Sequence, residues 1–174
     1  DPLHILLQKD DAELDENIPQ GQGALEGAEY TVKYYAGYYT KEELMKRDSP
    51  KETRTWVYKT DSEGHIDVRR DTPEKGDDVY KNARDQVVMP LGTISIQETK
   101  EPDGYLIDHT LYVQQVRMGE KNEALLATNT KIVKEEPCRG DFKMLKLGDD
   151  GKTLSDVPFR ITSKTTGEYH VIVT

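Results

Sequence analysis

The sequence predicts an all-β chain: an antiparallel β-sandwich with one short helical insertion, followed by the start of a second, similar module. Three observations point there. Short runs alternate apolar and polar residues with the two-residue period of a half-buried strand, as in Tyr30-Thr31-Val32-Lys33-Tyr34. Clusters of glycine, proline and aspartate separate these runs. The aromatic inventory is ten tyrosines against two phenylalanines and one tryptophan, and tyrosine suits a sheet face where the ring packs and the hydroxyl reaches water.

Taken in order, Leu3-His4-Ile5-Leu6-Leu7-Gln8-Lys9 opens the chain as a strand, and Tyr30–Tyr34 forms the next. Thr40 to Arg47 is the one helical stretch; Thr40 caps it and Glu43, three residues on, completes a capping box, so a short helix is expected. Thr55-Trp56-Val57-Tyr58-Lys59 alternates again, and the turn Asp61-Ser62-Glu63-Gly64 follows. Asp77 to Arg84 reads as a further helical turn. The turn Pro90-Leu91-Gly92 leads into Thr93-Ile94-Ser95-Ile96-Gln97, which alternates strictly, and Pro102-Asp103-Gly104 turns the chain back toward Leu111–Val116. Ile132-Val133-Lys134-Glu135 supplies a last row. Asp149-Asp150-Gly151 has too few carboxylates for a calcium loop and reads as a hairpin turn.

Of the 174 residues, 34% are apolar and 33% charged. Even with the 13 glycines added, the apolar share falls below the ~45–50% of an ordinary globular domain, so the core is thin and each strand keeps one wet face. The net charge of −9 is spread along the chain, which argues against a nucleic-acid binder, since that needs a concentrated basic face. No run of ~18 apolar residues is present, so no membrane-inserting segment is expected. The chain opens Asp1-Pro2-Leu3 without a methionine or a signal peptide and reads as a mature or excised piece. A single cysteine, Cys138, leaves no internal disulfide framework, and the four histidines are far apart in sequence. Phosphate-cradling, serine-hydrolase and zinc-protease motifs are missing. Neither metal nor cofactor is expected, and no constellation supports a free-standing enzyme.

The beginning and end of the chain resemble each other. Lys9 closes the run beginning at Leu3, and Lys146 closes Phe142-Lys143-Met144-Leu145-Lys146. Leu25-Glu26-Gly27-Ala28-Glu29-Tyr30-Thr31-Val32 then matches Leu154-Ser155-Asp156-Val157-Pro158-Phe159-Arg160-Ile161 in its apolar and polar positions. The two intervening stretches differ by eight residues, a difference a loop absorbs. Residues 1–137 are therefore expected to form one complete sandwich. Residues 138–174 are expected to be a linker and the first strands of a second module, left incomplete.

Several charged residues stand on apolar rows. Residues of equal parity share a strand face, so Lys9 lies with Leu3, Ile5 and Leu7, and Lys146 with Phe142 and Met144. Glu98 lies with Ile94 and Ile96, and Glu135 with Val133. A lysine at a row's end can snorkel into water. An unpaired buried charge costs several kcal/mol, so inside a core such groups must pair, neutralise or react.

Here a family resemblance becomes specific. Glu98-Thr99-Lys100-Glu101-Pro102-Asp103-Gly104-Tyr105 resembles the E-box signature of the SpaA/Cna-B family, the prealbumin-like, Ig-like β-sandwich repeats of Gram-positive pilins and surface adhesins. Leu25 to Tyr30 resembles the segment after that family's first strand, Pro90-Leu91-Gly92-Thr93 its approach to the E-box, and Arg139-Gly140-Asp141 its junction between tandem modules. The resemblance implies that Lys9 is the nucleophile of an autocatalytic isopeptide bond, with Glu98 as proton shuttle and Lys146 as the lysine of the second module. Desolvation favours the neutral amine and the protonated acid, and fixed strands supply proximity. The family's acceptor is an asparagine or aspartate of the last strand; here Glu135 holds that position, and the nearest asparagine, Asn129, is six residues upstream. Two readings stay open: a Lys9–Glu135 amide, or a non-covalent Lys9–Glu98–Glu135 cluster.

The implied role is structural and adhesive, in a secreted, cell-wall-anchored protein whose partners are tandem modules of the same chain and a host surface or secreted protein. An alternative is an immunoglobulin-binding, superantigen-like surface protein of a gut Firmicute. Tyr35, Tyr38 and Tyr39, in a tyrosine-rich insertion, are then the first candidates for the contact; the bland reading is that they cover the sheet. Arg139-Gly140-Asp141 reads as a junction rather than an integrin ligand, and Cys138 as incidental.

Overall fold

The computed structural model describes residues 6–19, 23–118, 124–126, 131–140, 143–164 and 167–174. Leu3, His4, Ile5, Asn129, Asp141 and Phe142 lie outside them. The chain divides into two compact units, Asp1–Pro137 and Cys138–Thr174.

In the first unit the strands are β1 (Leu6–Asp11), β2 (Glu29–Tyr35), β3 (Arg54–Lys59), β4 (His65–Asp67), β5 (Lys75–Gly76), β6 (Gly92–Lys100), β7 (Tyr112–Met118), β8 (Ala124–Leu126) and β9 (Lys131–Glu135). They form a six-stranded sheet in the order β5-β3-β2-β6-β7-β8 and a three-stranded sheet in the order β4-β1-β9. Alternation decides what lies between them. Tyr30, Val32 and Tyr34 of β2, Trp56 and Tyr58 of β3, and Ile94 and Ile96 of β6 meet Leu7 of β1, Ile66 of β4 and Val133 of β9 in one buried cluster. The result is a β-sandwich, antiparallel except at one pair among the described residues.

That exception is the pairing of the first strand with the last. β1 and β9 run parallel, with Leu7 opposite Lys131 and Asp11 opposite Glu135. A parallel pair requires a long crossover, and here the crossover is the rest of the unit. Strands β4, β5 and β8 span only two or three residues, too few to show an alternating pattern.

The helical expectations divide. Helix α1 (Lys41–Leu44) forms with its capping box complete: the Glu43 amide donates to Thr40 Oγ1 at 3.3 Å and the Thr40 amide to Glu43 Oε2 at 2.7 Å. Residues 77–84 form no helix. The Asn82 side chain instead accepts from the Arg84 and Gln86 amides at 2.9 and 3.1 Å, a local alternative that helix interiors lose to. Tyr80, beside this turn, packs edge-on against Tyr34 and Trp56. Gly92 opens β6 at φ +151°, where a Cβ would strike the Tyr35 carbonyl oxygen; no side chain fits there.

Among its described residues the second unit forms an antiparallel hairpin, β10 (Pro158–Thr162) with β11 (Tyr169–Val173). In the internal repeat, Pro158 is the counterpart of Glu29, the first residue of β2. The turn at Gly148–Gly151 is closed by the Gly151 amide donating to the Gly148 carbonyl at 2.9 Å, and Leu147 bridges Thr153 beside it.

Candidate functional site

The site follows from where three rows end. In β1, Lys9 continues the inward face of Leu7, and its backbone is held by the Gly64 carbonyl and by Asn17 Nδ2, which donates to the Lys9 carbonyl at 2.6 Å. On β9, Lys9 stands opposite Val133, with Glu135 next along the same face. Across the sandwich, Glu98 continues the inward row of Ile94 and Ile96, just before the β2–β6 register shifts at Glu29/Tyr30. The side chains of all three have no solvent exposure.

Their head groups converge. Lys9 Nζ lies 2.6 Å from Glu98 Oε1 and 2.9 Å from Glu135 Oε1. The two acids are not equivalent. Glu98 is held at both oxygens, since Oε2 accepts the Asp108 amide at 2.6 Å. Glu135 Oε1 also accepts from the Tyr30 hydroxyl at 3.4 Å. Glu135 Oε2 is buried without a hydrogen-bond partner among the described residues. A carboxylate left half-unsatisfied in a core favours its proton. Burial accordingly raises the Glu135 carboxyl to about 7, against the pull of Lys9 and with the help of the Glu98 and Asp108 charges.

An outer shell orients these groups. Burial pushes the Asp108 carboxyl up, but hydrogen bonds from the Thr110 side chain, the Tyr112 hydroxyl at 2.6 Å and the Thr110 amide at 2.9 Å hold it below the usual range. Asp108 thereby fixes the loop whose amide grips Glu98. The buried Asp11 receives the Tyr105 hydroxyl at 2.9 Å and caps the turn at Glu13 and Leu14. Leu106 donates its amide to the Glu136 carbonyl at 2.8 Å, so the turn after β6 is tied to the ends of β1 and β9. Tyr30, Asp108, Asp11 and Tyr105 were not singled out as site residues by the sequence. Asp11 shares parity with Lys9, a usable signal; Asp108 acts through its backbone and leaves none.

The remaining candidates lie elsewhere. Lys146 is exposed and outside any strand: the short unit it belongs to shows no facing sheet among its described residues. Tyr35 is buried and packs edge-on against the half-buried Tyr39. The segment they flank lies over the outer face of the large sheet, where the Tyr39 amide donates to Thr93 Oγ1 at 2.9 Å and Gln115 Nε2 to the Tyr39 carbonyl at 2.9 Å. Tyr38 is 45% exposed, with the Arg117 guanidinium stacked 4.2 Å from its ring centroid. Cys138 is exposed. No group of metal-ligating side chains occurs among the described residues, and none of their helices is long and apolar enough to cross a membrane.

No protein-family model matches the sequence, and no curated protein does. Solved structures do resemble it. The C-terminal fragment of the pilus adhesin SpaC from Lactobacillus rhamnosus GG is 14% identical, with 98% of this chain and 66% of that one covered at a TM-score of 0.47. The group B streptococcus pilus 2b backbone protein is 17% identical over 78% of this chain and 41% of its own, at 0.42. The Bacillus anthracis TIE protein is 17% identical over 87% and 23%, at 0.43. Two of the three are pilus proteins. This chain spans less than two thirds of the length of each.

Proposed function

We propose that residues 1–137 are a structural and adhesive module of a Gram-positive surface protein, locked by an amide between Lys9 Nζ and Glu135 Cδ. The supporting observation is the solvent-free convergence of one amine and two acids from the first, a middle and the last strand of the unit. Residues 138–174 are then the opening of a similar module, consistent with the Leu154–Ile161 repeat and the β10–β11 hairpin.

The unequal acids divide the labour. Glu98 takes a proton from the Lys9 ammonium, and the freed lone pair attacks Cδ of protonated Glu135. Collapse of the tetrahedral carbon breaks Cδ–Oε2, and the hydroxyl leaves as water with a proton relayed by Glu98, which then takes the second nitrogen proton. Ammonium, carboxylate and acid become amide, protonated Glu98 and one water. The reaction is intramolecular and occurs once per chain, so the module is not an enzyme toward any other molecule. Fixed strands can supply ~7–11 kcal/mol of such a barrier through proximity alone.

The location also suits a stalk. β1 and β9 are parallel neighbours, so tension between the start of β1 and the end of β9 loads their pairing in shear, and an amide between them would carry it covalently. Intact mass under denaturing conditions tests the crosslink: the sequence mass minus one water is expected, and an unshifted mass would rule the amide out.

A pH dependence follows. Attack requires protonated Glu135, whose carboxyl titrates at about 7. When unfolded, uncrosslinked chain is refolded by dilution, amide formation should therefore slow above that pH, about tenfold per unit on the far limb. Mass spectra of timed, acid-quenched samples read the rate; a rate that rises steadily through and beyond neutrality would contradict the assignment of Glu135 as the electrophile.

A further inference from the structure

We infer that the Tyr30 hydroxyl is a catalytic hydrogen-bond donor to the oxyanion that forms at Glu135 Oε1, an inference that rests on the Lys9–Glu135 reading above. Tyr30 lies on β2 with no solvent exposure. Its ring packs beside the amine, with Lys9 Nζ 5.3 Å from the ring centroid, and its hydroxyl donates to Glu135 Oε1 at 3.4 Å.

The two oxygens of Glu135 identify the role. Oε1 faces the Tyr30 hydroxyl, while Oε2 has no partner. When the Lys9 lone pair adds to Cδ, one carbon–oxygen π pair moves onto an oxygen, and that oxygen is stabilised only where a donor already points at it. Oε1 is therefore the oxyanion position and Oε2 the hydroxyl that departs. A contact of 3.4 Å is long for an O–H···O bond in the ground state, where ~2.7–2.8 Å is usual. Growing negative charge on Oε1 tightens it, so the bond strengthens in the transition state more than in the reactant, as catalysis requires. Burial and the Glu135 and Glu98 charges push the Tyr30 phenol well above its ordinary value, so it remains a donor throughout. Phenylalanine would fill the same volume between Val32 and Tyr58, so core packing alone does not call for the hydroxyl.

The test compares the rate of water loss on refolding in wild type, Tyr30→Phe and Tyr58→Phe, with circular dichroism confirming the fold. Tyr58 is the cross-strand partner of Tyr30 and equally buried, but its charged neighbour is Asp71 rather than the three site residues. Tyr30→Phe should slow amide formation by ~100-fold or more, the loss typical of one oxyanion donor, while Tyr58→Phe proceeds at the wild-type rate. Fluorotyrosine at position 30 keeps the shape with a more acidic hydroxyl and should speed the reaction, an effect that packing cannot produce. Wild-type rates in both position-30 variants would overturn the role of Tyr30 and leave the crosslink standing. A wild-type chain that never loses water would overturn both.

Discussion

Lys9→Met is expected to leave the chain at its sequence mass and to lower its stability by several kcal/mol, read from thermal or denaturant melts of the full chain. Two losses combine. Deleting the amide releases a loop that closes residue 9 on residue 135; by analogy with disulfides, a closure of ~100 residues contributes ~4–5 kcal/mol through the unfolded state. Deleting the amine also leaves the Glu98 and unreacted Glu135 carboxyls facing each other in a dry core without the nitrogen that bridged them, and a buried polar group deprived of its partner costs ~1–3 kcal/mol. Protonation of the acids recovers part of the second term. Methionine fills most of the lysine volume, so cavity formation adds little. Since whole domains are stable by only ~5–15 kcal/mol, the variant should melt far below wild type. A variant within about 1 kcal/mol of wild type would show that Lys9 neither crosslinks nor holds the two sheets together.

The second large effect separates the two acids. Glu98→Gln keeps the side-chain shape and its contact with the Asp108 amide but removes the proton acceptor, so amide formation should fall by ~10²–10⁴-fold, the usual share of a general base. Glu135→Gln changes the leaving group instead: the carboxamide can still be attacked, and the product should lie one ammonia, rather than one water, below its sequence mass. Equal behaviour of the two variants would contradict the division of roles drawn from Asp108, Tyr30 and the unpartnered Glu135 oxygen.

What the sequence revealed, and what it hid, follows the range of the interactions. Alternation is local, so the strands at Tyr30–Tyr34, Thr55–Lys59 and Thr93–Gln97 could be read directly, and parity alone placed Lys9, Glu98 and Glu135 on apolar rows. Capping is local as well, and Thr40 with Glu43 announced α1. Pairing is not local: nothing in residues 6–11 or 131–135 reveals that the strands run parallel. At Asp77–Arg84 the helix propensity gave way to the Asn82 side chain, which binds the backbone two and four residues on. Tyr30 was legible as a core residue, but the direction of its hydroxyl depends on β9, over a hundred residues away. Repeat matching aligned Lys146 with Lys9, yet burial depends on a facing sheet, and Lys146 is exposed.

Peptide mapping of the folded, then denatured and digested chain reads the Lys9–Glu135 bond itself. One branched peptide is expected, in which Lys9 Nζ is joined to the side chain of Glu135, with Glu98 unmodified. Recovery of Lys9 and Glu135 in two separate linear peptides, each at its sequence mass, would contradict it.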